Sequence, residues 1–184
     1  MAWKQLVQPS INISAQAGMC LQYVDNATNA TSRTYTAQIA YNTANAKGWV
    51  RANQEYPRGV WFVMFWSIDN GEYSGLGHVA LAYVGNDGAI QIHDSEVHRN
   101  AREPYTSLAE LENWFGSVGT RLTFLGWSEG VDNVKMIAEI EAETKTTIDK
   151  IDKKKEQLKI FGYPFFGNKD GSLNKNIFFK IDFG

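Results

Sequence analysis

The stretch from Gly59 to Glu96 constrains the chain most. "GVWFVMFW" (59–66) is rich in aromatic and β-branched residues, as a buried strand would be. "GHVALAYVG" (77–85) alternates, as a second strand would. Asn86-Asp87-Gly88 is a hairpin turn signal, because Asn, Asp and Gly accept the positive φ that tight hairpins need. "AIQIHDSE" (89–96) then reads as the return strand. An antiparallel sheet therefore organises the middle of the chain.

Helices precede this sheet. A short one is expected from about Gly18 to Asn26. A second is expected from about Tyr35 to Ala46, capped by Ser32 or Thr34 and stopped at Gly48. After the hairpin, Ser107 and Glu110 have capping-box spacing ahead of "LENWF". "RLTFLGWSE" (121–129) reads as a last strand. Helices followed by a run of antiparallel strands is an α+β arrangement.

Beyond residue 132 the composition changes. Ile137, Ile140, Thr144, Ile148, Ile151 and Leu158 fall near helical spacing among Glu and Lys. The stripe is narrow, which suits a charged linker or self-association helix over 133–160 better than a core helix. Residues 161–184 form an aromatic tail with an "NKDG" turn, either a small hairpin or part of a binding module. The division expected is 1–132, 133–160 and 161–184.

Composition narrows the function. The 184-residue chain is 43% hydrophobic and 21% charged, enough for a core without disulfide or metal staples. A net charge of -2 argues against nucleic acid as a partner. No run approaches the ~20 apolar residues of a membrane span, so membrane insertion is not expected. "MAWKQLVQPSINIS" lacks the basic start and apolar run of a secretion signal. Synthesis in a cytoplasm is expected. No cofactor is called for, and a single cysteine excludes a Cys-based zinc site.

That cysteine is Cys20, in "QAGMCLQYVD". Taken alone it reads as a small buried hydrophobe, a common use of free cysteine. As a nucleophile it would need a lowered pKa, a base and oxyanion donors. The start of a helix offers the first and third. The base must come from His78, His93 or His98. His78 begins a strand after the loop "GEYSGLG". Across the hairpin, Asp94 shares an apolar face with Ile90 and Ile92. A carboxylate there needs a partner, which makes Asp94 the candidate to orient His78. Glu96 on the same face is a second candidate.

At these residues the sequence resembles the CHAP domains, cysteine- and histidine-dependent amidohydrolases and peptidases of the papain-like kind. "GMCLQYV" matches the Gly-x-Cys helix start, "GHVALAYVG" the Gly-His-Val-Ala strand and "IHDSE" the acid or amide position. "LTFLGWSEGVD" is similar to the domain end in phage-encoded lysins. The resemblance covers residues 5 to 132. It implies an antiparallel sheet packed against N-terminal helices, with Cys20 at a helix start and His78 on the sheet. It implies that Cys20 attacks an amide carbonyl, His78 moves the proton and Asp94 holds the imidazole. The implied substrate is bacterial peptidoglycan, cut at the muramoyl–L-alanine amide or within the peptides. An enzyme of this kind crosses the membrane through a separate pore, or rides on a virion. Two departures stand out. The acidic pair here is Asp94-x-Glu96, where the family more often has Glu or Asn, and related wall peptidases keep His93 in play. "PSINISAQAGM" also lacks the acidic run through which some members bind calcium, so no metal is expected. The alternative is a non-catalytic wall-binding or virion tail protein on the same fold.

Overall fold

The computed structural model describes residues 2–100, 102–140 and 153. The chain divides into a compact unit, Met1–Ile140, and a second unit, Glu141–Gly184. The expected linker helix beyond Ile140 and the aromatic tail lie outside the described residues, except for the single helical position Lys153.

The first unit is α+β. Five antiparallel strands form its main sheet: β2 (Val50–Arg51), β3 (Trp61–Ile68), β4 (His78–Val84), β5 (Ile90–His93) and β6 (Leu122–Ser128). Their spatial order is β2-β6-β3-β4-β5. β3 is central, and Phe62, Val63, Met64 and Phe65 are fully buried. That explains the absence of polar alternation along it. The hairpin between β4 and β5 turns as the sequence indicates, with Gly85 N–H donating to the Ala89 carbonyl at 2.8 Å.

Four helices accompany the sheet: α1 (Cys20–Thr28), α2 (Ala37–Ala46), α3 (Ser95–Arg99) and α4 (Leu108–Ser117). α1 packs on β4 and α2 on β3. α2 starts later than expected. Its cap is Thr36, whose hydroxyl accepts from Ile39 N–H, rather than Ser32 or Thr34. Gly48, at φ +70°, ends it as anticipated. α4 keeps half of its capping box. Ser107 accepts from Glu110 N–H, but the Glu110 carboxylate reaches back to Thr106.

Two corrections concern the ends of the unit. Residues 134–140 do not begin a charged helix. They form β8 (Val134–Lys135) and β9 (Ile137–Ile140); β8 pairs with β7 (Gly130–Val131). β9 pairs antiparallel with β1 (Ala2–Gln5). Met136 and Ile137 are fully buried, so this segment belongs to the core. Gln5 fastens the added sheet to β3: its side chain accepts from Trp61 N–H and donates to the Trp61 and Met136 carbonyls. The compact unit thus runs eight residues past 132.

No described helix is long and apolar enough to cross a membrane.

Candidate functional site

His78 opens β4, directly after Gly77. That glycine has φ +72°, and a Cβ on it would lie 2.7 Å from the Gln38 backbone nitrogen. Only glycine lets the loop pass α2 this closely, and the passage sets where the His78 side chain begins. His78 is 3% exposed. Its ring lies between aromatic neighbours, 4.6 Å from Phe115 and 5.8 Å from Trp66 between centroids.

Asp94 supplies one side of the imidazole. It is fully buried, and its Oδ2 lies 3.1 Å from His78 Nε2. The distance suits a hydrogen bond, but neither atom has a well-aligned partner. The other carboxylate oxygen, Oδ1, accepts from Val97 N–H at 2.8 Å. Asp94 is therefore the N-cap of α3, not the end of a strand. β5 stops at His93, and "DSEV" begins a helix. The sequence carries the signal, because Asp is a strong N-cap.

Cys20 supplies the other side. It is half-buried at the first position of α1. Cys20 and His78 line the same cleft, and the Cys20 charge acts on the imidazole. With Nε2 turned to Asp94, Nδ1 is the nitrogen left for the thiol. Burial pushes the His78 pKa down, but the adjacent Cys20 charge and the Asp94 carboxylate more than offset it and raise it to about 10.

The remaining candidates are placed differently. Glu96 lies on α3 and does not stand beside Asp94 on a strand face; its Oε1 accepts from Gly18 N–H at 3.1 Å. His93 turns both nitrogens elsewhere, Nδ1 to His98 Nε2 at 3.1 Å and Nε2 to Gln91 Oε1 at 3.0 Å. Burial and the neighbouring His98 lower its pKa to about 4. His98 is on α3, and its ring stacks on Tyr23 of α1.

Two cavities adjoin Cys20. One, of about 290 Å³, has Arg33, Thr34 and Tyr35 in its wall. The other, of about 280 Å³, includes His78, Tyr73, Trp114 and Phe115. Met19, Tyr35, Tyr73 and Leu76 line one or both, and all are large hydrophobic side chains left exposed. Apolar surface gathered around a cleft marks a place where a ligand lies. Among the described residues, no three potential metal-ligating side chains cluster.

Sequence reasoning missed one feature in the wall of the cavity that Arg33 and Cys20 share. Asp25 is buried on α1 and adjoins the Asp132 carboxyl, whose two oxygens accept from Thr34 N–H and Oγ1. Burial, then Asp132, raise the Asp25 pKa to about 7, against a smaller opposing pull from Arg33. The folded state thus favours protonated Asp25. That stabilisation is complete below the ordinary carboxylate pKa and is lost as pH rises through about 7. Asp25→Asn should therefore stabilise the protein at pH 8 by roughly 2 kcal/mol and change little at pH 4. Urea unfolding at the two pH values checks this.

No protein-family model matches the chain, and neither the curated proteins nor the solved structures contain a match.

Proposed function

We propose that the protein is a cysteine-dependent hydrolase that cuts an amide bond of bacterial peptidoglycan, as phage lysins with CHAP domains do. One observation carries the reading: a buried imidazole stands between the only cysteine, at a helix start, and a fully buried carboxylate, beside an open cleft. The resemblance of "GMCLQYV", "GHVALAYVG" and "IHDSE" to CHAP motifs supplies the substrate class.

The chemistry follows from these positions. The Cys20 proton rests on His78 before the attack, and Cys20 Sγ then adds to the carbonyl carbon. Backbone N–H groups at the start of α1 face the developing oxyanion. They are free for this because Met19, the N-cap, makes no side-chain capping bond. The protonated imidazole gives its proton to the leaving amine, the C–N bond breaks and a thioester remains. Water, deprotonated by His78, then releases the carboxylate and the thiol. Asp94 holds the ring and favours its charged form throughout.

The enzyme would be made in the host cytoplasm and reach the wall through a separate pore or on a virion. Exposed Tyr35 and Tyr73 at the cleft also suit a non-catalytic wall-binding role. Mass spectrometry of purified peptidoglycan after incubation distinguishes the readings. Catalysis yields new amino groups at one bond type, and that bond identifies an amidase or an endopeptidase. Sedimentation with walls and no new termini would leave binding alone.

A further inference from the structure

Glu96 stands next to the chemistry without touching the imidazole, and its contacts give it a separate task. Gly18, two residues before the nucleophile, has φ +68°. Its N–H donates to Glu96 Oε1 at 3.1 Å, across 78 residues of chain. Glu96 is 8% exposed, and its Oε2 lies 3.6 Å from Arg99 Nε. A helix start is usually pinned by its own capping side chain, which then occupies one of the free N–H groups. Met19 provides no such bond.

We infer that Glu96 is a positioning residue that pins the Gly18–Cys20 turn from outside the helix, leaving the N–H groups of α1 open to an oxyanion. α3 then aligns both halves of the pair. Asp94 at its cap faces His78, and Glu96 one turn-residue pair later holds the loop that carries Cys20. The inference rests on the reading of Cys20 as the nucleophile.

The test measures the rate of alkylation of Cys20 by iodoacetamide in the full chain at pH 7, in the parent, Glu96→Ala and Glu96→Gln. The parent should react faster than free cysteine under the same conditions. Glu96→Ala should react about tenfold more slowly at pH 7, the loss expected from a charge-assisted hydrogen bond. Its kcat on peptidoglycan should fall with little change in KM. Glu96→Gln should stay near the parent, because its amide oxygen accepts the same bond. A parental rate for Glu96→Ala, with the parent faster than free cysteine, overturns the positioning role alone. An equal loss in Glu96→Gln also overturns it, since charge and not the acceptor would then matter. A parent no faster than free cysteine removes the nucleophile reading and this role with it.

Discussion

Replacing His78 with alanine is expected to lower kcat on peptidoglycan by about a thousandfold or more, the scale of losing a positioned general acid and base. Two steps fail together. The Cys20 proton has no acceptor, and the leaving amine has no donor. KM should change little, since His78 is buried and the exposed side chains around the cleft are intact. The variant also removes a ring packed against Phe115 and Trp66. His78→Gln fills more of that space and guards against a packing artefact. Comparable kcat losses in both variants, with similar Tm values, assign the effect to the lost imidazole. A parental kcat in either would show that the imidazole takes no part.

Asp94→Asn should lower kcat about a hundredfold, and here the pH dependence is the sharper readout. Asp94 is one of the groups that lift His78 to a pKa of about 10 against the effect of burial. Removing its charge lets burial pull that value down. NMR titration of the His78 ring should therefore show deprotonation at lower pH in the variant. The consequence for stability has a definite sign. A histidine whose folded pKa exceeds its unfolded value stabilises fully below about pH 6.5. That contribution is lost as pH rises through about 10. Asp94→Asn should thus destabilise more at pH 6 than at pH 11. Asparagine keeps an oxygen for Val97 N–H, so the α3 cap survives. Asp94→Ala loses both functions and should cost about 1 kcal/mol more. An unchanged His78 titration in Asp94→Asn would separate Asp94 from the imidazole.

The parts of this site were legible where a local pattern decided the structure. The β3–β4–β5 hairpins follow from an apolar run, an alternating run and the Asn86-Asp87-Gly88 turn, all read within a few residues. Cys20 at the start of α1, His78 at the head of β4 and Asp94 just after β5 stand out by their order in the chain; His78 lies 3.1 Å from Asp94 and lines one cleft with Cys20. The failures are equally physical. Ile137 and Ile140 fit one helical face, but their strand depends on pairing with Ala2–Gln5, at the opposite end of the unit. No local window contains that partner. Asp94 was expected on a strand face, whereas its cap bond to Val97 turns the chain into α3. That turn moves Glu96 from the imidazole to Gly18, a contact with no sequence signature at all. The Asp25–Asp132 pair was hidden for the same reason.

The most direct test compares the parent with Cys20→Ser on a suspension of purified bacterial walls, following turbidity and new amino groups together. Serine keeps the size of the side chain but is a far weaker nucleophile beside the same imidazole. The account predicts that the parent clears the suspension and releases amino groups, while Cys20→Ser binds the walls and releases none. Clearing by Cys20→Ser at the parental rate would contradict it.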